Sequence, residues 1–361
     1  MKIKNNIKTG TTRIKKRGAL AIVMTAMVVL AASCFLTSCH DYDKWDNDYE
    51  GNLDALWTII DEHYCFFNEK DVDWDAVRVE YRQKLHEKDK MSRMDFFQLA
   101  SEMLDELRDG HINLTSPFAT SYYRKWWSDY PQNFNLRTLQ QYYLNFDWLT
   151  LSGLYYKILD DNIAYLRYPS FSYLPGEGNL DYIFHYFKDC KGLIIDIRDN
   201  GGGELTNVHS LVGRFITDKT TGGYLIHKTG KGHNDFSSPY PIEYEPAKDN
   251  HISWDSSKPV VVLINRSCFS AANDFACVMK ELPNVRLAGA STGGGGGLPF
   301  TYDIPIGWTV RLSASPSLDR NRRSIENGIE PSEGCAVDAP DIELAQGKDA
   351  ILDKAISLLK E

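Results

Sequence analysis

The stretch from Lys258 to Leu282 constrains this chain more than any other. Val260 to Ile264 is an unbroken apolar run rich in β-branched residues, the pattern of a strand covered on both faces. Asn265 to Phe269 is a short polar turn. From Ala271 the apolar period becomes helical, with Ala271, Phe275, Val278, Met279 and Leu282 on one face. Strand, sharp turn and helix place Ser270 at the helix start, where unpaired backbone N–H groups and the positive end of the helix dipole point. Such a position stabilises an alkoxide or a tetrahedral oxyanion. A serine there is also a preferred N-cap, and on this stretch alone the cap is the plainer reading.

The chain has 361 residues, enough for one large domain or two ordinary ones, and a formal net charge of -9. That charge, with no sustained basic patch beyond the N-terminus, argues against a nucleic-acid partner. No repeat period and no Walker-type phosphate loop occurs, and with no CxxC or HExxH a metal site has no support.

Lys2, Lys4, Lys8, Arg13, Lys15, Lys16 and Arg17 form a basic region, and Ala19 to Leu36 is an apolar stretch rich in small residues. Leu36-Thr37-Ser38-Cys39 then resembles the lipobox of bacterial lipoproteins: an aliphatic residue, two small residues and the cysteine that is lipidated. The apolar run is about long enough for an uncleaved anchor. The lipobox and the abrupt change to Asp-, Tyr- and Trp-rich sequence instead predict a signal peptide over 1–38, cleaved before Cys39. Cys34 fits less well, because Ala31 stands where the aliphatic residue belongs. Residues 39–50, with Asp41, Asp43, Asp46, Asp48 and Glu50, read as a solvated tether. The tract also resembles the acidic signals that send some bacterial lipoproteins to the cell surface. The expected location is the cell envelope, with a lipid anchor in the outer membrane. The remaining cysteines, Cys65, Cys190, Cys268, Cys277 and Cys335, are too scattered for a disulfide framework, and Cys268 reads as a packed thiol.

Helical spacing marks Gly51 to Phe67, Val72 to His86 and Ser92 to Leu107, the last opening on a Ser cap. Gly110 is the expected stop, and His111 opens a short strand. A single histidine is most often a surface or satisfied core imidazole; its place in a loop between elements raises its interest. Ser116 to Leu159 is dense in Tyr, Trp and Phe, and either packs across the helices or lines a groove. Strands or a hairpin are expected around Asp160-Asp161-Asn162. Leu193 to Ile197 reads as a second buried strand, followed by Asn200-Gly201-Gly202-Gly203, which is either an anion-binding nest or a plain glycine turn. Gly222 to Trp254 reads as a long polar excursion. The run Gly293 to Gly297 is expected to be mobile unless something closes over it, and Asp349 to Lys360 is a closing helix.

Asp109-Gly-His111, Asp196-Ile-Arg-Asp-Asn-Gly-Gly-Gly203, Asn265 to Asn273, Gly289-Ala-Ser-Thr-Gly-Gly294 and Glu326-Asn-Gly-Ile-Glu-Pro331, in this order, resemble the C-terminal processing peptidase and tricorn family of serine peptidases. The resemblance implies an α/β fold, with a helical N-terminal domain (51–112) before a crotonase-like core (161–361) that spirals through ββα units. The aromatic segment 113–160 stands in place of the family's usual PDZ domain. It also implies a serine-type endopeptidase that cleaves polypeptides through an acyl-enzyme, with no cofactor or metal. Ser270 matches the nucleophile, His111 the tricorn-type general base and Glu326 the carboxylate that orients it. The N–H of Ser270 itself or of Ala271, with that of Gly201 or Gly202, would form the oxyanion hole. The chemistry is coherent, because a serine hydroxyl attacks well only when a positioned base takes its proton.

Three departures matter. Asn273 stands where the family often carries Glu, Glu330 competes with Glu326, and Gly295 stands where Ser/Lys members carry the lysine base. His111 is therefore the expected base, titrating near the ordinary imidazole value of about 6.5. Two other readings remain open: a catalytically silent peptide-binding lipoprotein on the same fold, and a glycan-binding lipoprotein that uses the aromatic segment as a platform.

Overall fold

The computed structural model describes residues 44–360; the signal segment, the lipobox and Cys39 lie outside the described residues. Among the described residues no helix is long and apolar enough to cross a membrane.

One compact unit begins at Asp48. It opens with helices Tyr49–His63, Trp74–His86 and Arg93–Asp105. Each starts on a side-chain cap: Asp48 accepts from Gly51 N–H, Asp73 from Ala76 N–H, and Ser92 with Asp95 forms a capping box. The expected apolar faces are buried, among them Leu53, Leu56, Trp57, Val77, Phe96 and Met103. The first helix stops four residues short of Phe67, because Tyr64 turns extended and Cys65 N–H docks on Ser313 O at 3.1 Å. A single-turn helix, Phe67–Lys70, follows it and was not anticipated.

The strands are β1 (Asn113–Thr115), β2 (Leu149–Leu151), β3 (Leu154–Leu159), β4 (Ile163–Arg167), β5 (Gly192–Asp196), β6 (Thr220–Leu225), β7 (Tyr240–Tyr244), β8 (Val260–Ile264), β9 (Val285–Gly289), β10 (Gly297–Asp303) and β11 (Thr309–Leu318). One sheet has the order β2-β3-β4-β5-β8-β9, with β4 to β9 running parallel and the β2–β3–β4 end antiparallel. The second gathers β1, β10 and the β6–β7 hairpin around β11. The supposed connector is thus woven into both sheets: β1 pairs with β11, and β2 and β3 extend the main sheet across the boundary drawn at residue 160. Asp161 and Asn162, both with positive φ, make the hairpin turn between β3 and β4. The polar excursion after Gly222 also carries regular structure, since β6 and β7 fall within or beside it.

Residues of β5 and β8 alternate between two apolar clusters. Leu193, Ile195, Val260, Val262 and Ile264 face helices Glu177–Tyr186, Leu205–Val212 and Ala271–Lys280, while Ile194, Val261 and Leu263 meet the final helix Ala350–Leu358. This is why those strands read as unbroken apolar runs.

At the end of β5 lies a fully buried ion cluster. Arg198 grips Asp196 through Nε (3.0 Å) and Nη2 (2.7 Å), and its Nη1 reaches both oxygens of Asp349 at 2.8 Å. Tyr165 O–H donates to Asp196 at 2.7 Å, and the Phe134 ring lies 4.2 Å from the Arg167 guanidinium and 4.7 Å from that of Arg198. Burial opposes ionisation of Asp196, but Arg198 and Arg167 beside it hold its carboxyl below the usual range. Breaking such a cluster leaves an uncompensated buried charge. Asp349→Asn is expected to lower the unfolding free energy by about 3–5 kcal/mol in urea titration; a loss under about 1 kcal/mol would show that the cluster relaxes without cost.

Candidate active site

β5 and β8 are parallel neighbours in register, with Asp196 opposite Leu263, so the segments leaving their C-terminal ends emerge side by side. In open α/β sheets, sites form at that end. The two segments are clamped together. Asn265 Nδ2 donates to Asp199 Oδ1 (2.8 Å), Asp199 N–H donates to Asn265 Oδ1 (3.0 Å), and Phe269 N–H donates to Asn200 O (3.1 Å). Gly202 approaches the second segment so closely that a Cβ there would stand 2.7 Å from Phe269 O and 2.8 Å from Ser270 Cβ. Its φ of +99° adds to the requirement for glycine.

Ser270 has φ 55° and ψ -125°, a conformation that costs an L-residue about 1–3 kcal/mol and persists only where surroundings impose it. Here its N–H is held by Gly294 O at 2.9 Å. Its hydroxyl caps nothing, so the N-cap reading is set aside. Ser270 instead lines a cleft of about 510 Å³ together with His111, Gly201, Phe269 and Arg311. Of the four amides considered for an oxyanion hole, two are committed elsewhere: that of Ser270 to Gly294 O, and that of Gly202 to its neighbour Asn200 Oδ1 at 2.9 Å. Those of Ala271 and Gly201 have no acceptor among the described residues. Cys268, two residues before Ser270, donates to Ile197 O at 2.9 Å, and burial pushes its thiol pKa up to about 12. It is a packed thiol.

His111 follows a turn whose geometry differs from expectation. Arg108, not Gly110, takes the left-handed conformation after the helix. Gly110 is small for another reason: a Cβ there would stand 2.5 Å from Trp126 Nε1. His111 N–H donates to Asp109 Oδ1 at 2.7 Å, and its ring lies 4.7 Å from that of Phe269. The imidazole is buried, and Nδ1 has no partner. Burial drives its pKa down to about 4, against the attraction of Asp109 and with help from Arg311 and Lys70. That is well below the unperturbed value expected from sequence, and it leaves the ring neutral at pH 7, as a general base requires.

Glu326 is buried in the loop after β11. Its Oε1 accepts from Lys70 Nζ at 2.7 Å and its Oε2 from Gly296 N–H at 2.9 Å. Burial, and then the charge of Asp109, raise its pKa to about 7 in spite of Lys70. No hydrogen bond joins His111 to Ser270 or to Glu326 in this structure. Lys70, on the single-turn helix, was missed by sequence reasoning; no motif marks it. Burial works against its charge, yet Glu326 and Asp109 hold its pKa above the ordinary range. Glu330, the alternative carboxylate, is exposed and accepts from Ser291 Oγ.

The five-glycine run is packed, not loose. A Cβ on Gly294 would stand 1.8 Å from Glu326 O, and one on Gly295 would stand 2.5 Å from the Phe269 ring. Asn273 helps to close this side: its Nδ2 donates to Ile325 O (3.0 Å), and its Oδ1 accepts from Thr292 Oγ1 (2.6 Å). The groove reading fits one part of the aromatic segment, and another part packs under the main sheet, not across the N-terminal helices. Trp126 stacks on Phe269 at 4.2 Å and lines the cleft with Tyr122, Tyr123 and Trp127, whereas Phe134, Tyr143 and Trp148 pack against the second core cluster.

Comparison with known proteins shows the family. Residues 162–333 match peptidase family S41, and residues 46–105 match the tricorn protease C1 domain. A solved structure from Parabacteroides merdae ATCC 43184 is 45% identical, with a TM-score of 0.80, and the match covers 88% of this chain and 98% of that one. The carboxy-terminal processing protease CtpA of Bacillus subtilis is 28% identical over 187 residues, 51% of this chain and 37% of that protein. The tail-specific protease of Haemophilus influenzae is 29% identical over 162 residues, 42% of this chain and 21% of that protein. The match thus spans well under half the length of these two curated relatives. On the matched core, the matched N-terminal helices and the shared fold, the chain belongs to peptidase family S41, the family of the C-terminal processing peptidases.

Proposed function

We propose that the protein is a serine-type endopeptidase of the bacterial cell envelope, anchored by lipid at Cys39, that hydrolyses polypeptides through an acyl-enzyme. The observation that carries this reading is the strained Ser270, uncapped at a helix N-terminus and facing the same cleft as a neutral, buried His111. In the proposed mechanism His111 takes the Ser270 hydroxyl proton as Oγ attacks the scissile carbonyl. The oxyanion is met by the N–H groups of Ala271 and Gly201. The imidazolium then protonates the leaving amine, and water, deprotonated by His111, releases the acyl group. Glu326, with Asp109, supplies the negative charge that the buried imidazolium requires. Lys70 pulls the Glu326 pKa down from where burial and Asp109 would otherwise put it.

Labelling by a fluorophosphonate probe tests the core of this reading. Ser270→Ala is expected to abolish labelling, and His111→Ala to slow acylation by about three orders of magnitude or more. Gly295→Lys is not expected to restore the His111→Ala protein, because the Phe269 ring fills the space a lysine would need. Near-normal acylation in a folded His111→Ala protein would sink the assignment.

The pH profile follows from the two buried groups. A base acts when neutral, so activity rises with pH through its pKa, and burial moves the His111 rise below the ordinary value, toward 4. Ionisation of Glu326 adds a second rise near 7. Lys70 lowers the pKa of Glu326, so Lys70→Met is expected to move that second rise to higher pH. A profile of kcat/KM that does not move would show that Glu326 is not the group titrating.

For the anchor, mature protein is expected to begin at a diacylated Cys39, with Cys39→Ser leaving uncleaved precursor. Intact-mass measurement of a mature N-terminus elsewhere would overturn it.

A further inference from the structure

Arg311 lies near the start of β11, opposite Asn113 of β1 on one side and Thr301 of β10 on the other. It lines the cleft together with Ser270 and His111 and is half-buried. Its partners are poor. Nη1 makes two long hydrogen bonds, to His111 O and Asn113 Oδ1, both at 3.4 Å. It has no ion pair among the described residues, and burial lowers its pKa against the pull of Asp109. Two fully buried arginines are held by carboxylates: Arg198 by Asp196 and Asp349, and Arg214 by Glu177 and Asp181. A guanidinium has five N–H donors in a planar fork suited to one carboxylate. Keeping one partly desolvated and weakly paired is costly unless a ligand completes it. The cleft adds Arg124, exposed beside Tyr122, and Glu204, also exposed, is the one carboxylate among its lining residues. This patch is cationic on a chain of net charge -9.

We propose that Arg311 anchors a carboxylate of the bound peptide, either an acidic side chain near the scissile bond or the free C-terminal carboxylate of a chain cut close to its end. The proposal rests on the reading of Ser270 and His111 as the catalytic pair. Arg311 acts as a specificity residue: it fixes the register of the peptide across the cleft while Ser270 does the chemistry. Its position beside the His111 carbonyl sets the anchored group close to the reacting centre.

The test uses fluorogenic peptides in matched pairs on the full chain. One series exchanges Glu for Gln at each subsite in turn, and the other compares a free C-terminal acid with its amide. The readout is the ratio of kcat/KM within a pair. Wild type is expected to favour the carboxylate member of one pair by about tenfold to a hundredfold. The ratio should fall toward one in Arg311→Met, persist in part in Arg311→Lys, and turn in favour of Lys-bearing peptides in Arg311→Glu. The pair that responds identifies the source of the carboxylate. Ratios near one in wild type for every pair, or a ratio unchanged in Arg311→Met, overturn the proposal. The same pairs are titrated by fluorescence anisotropy against the Ser270→Ala chain, with and without Arg311→Met. Arg311-dependent discrimination in that binding, without cleavage by wild type, upholds the anchor and fails the catalytic reading. Equal binding of both members overturns the anchor, whatever the catalytic result.

Discussion

The site depends on two adjacent parallel strands that end level with each other. β5 and β8 deliver the glycine loop and the Ser270 turn to one place, and the register between them fixes which backbone atoms meet. That register is reinforced where β5 ends. Asp196 is locked by Arg198, Arg167 and Tyr165, and Arg198 in turn reaches the Asp349 carboxylate at the start of the last helix. Burying these charges is costly, and apolar residues of the same shape could stabilise the fold as well. What the ions add is direction: they set the exit angle of the chain two residues before Asn200, so that Gly202 lands against Ser270. The strained conformation of Ser270 is then imposed from both sides, by Gly202 and by the Gly294 carbonyl.

Burial has opposite effects on His111 and Glu326. It lowers the pKa of the imidazole of His111 and raises that of the carboxyl of Glu326, so both drift toward their neutral forms. Each neighbouring charge opposes that drift at one group and adds to it at the other: Asp109 raises the pKa of His111 but also that of Glu326, and Lys70 lowers that of Glu326 but also that of His111. Lys70 comes from the single-turn helix, Asp109 and His111 from the turn before β1, Ser270 from the main sheet and Glu326 from the loop after β11. The N-terminal helices therefore contribute to the candidate site, and the aromatic segment packs on it by stacking Trp126 over Phe269.

Much of the fold was legible in the sequence because it is written in local periods and caps. The run Val260 to Ile264 is a strand of those bounds, Ser92 caps its helix, and Asp161-Asn162 turn a hairpin. Misreadings arose where a local signal had a distant cause. Gly110 looked like a helix stop, but its missing side chain makes room for Trp126. The five-glycine run looked mobile, yet it is thin because the Glu326 loop and Phe269 press on it. The polar excursion after Gly222 hid a hairpin whose pairing partner, β11, lies far along the chain.

By itself, the sequence determined the alternation of strands and helices, the need for glycine at the loop beside β5 and the place of Ser270 at a helix start. These follow from sterics and hydrogen bonding among residues near one another in the chain. Only the tertiary structure decided that Glu326 is held by Lys70, that Ser270 has spent its amide on Gly294 while Gly201 and Ala271 have not spent theirs, and that Arg311 stands in the cleft without an ion pair. Each of these is a matter of which groups remain unpaired once distant segments pack. No local pattern records that, because the partners that are present, or missing, come from elsewhere in the chain.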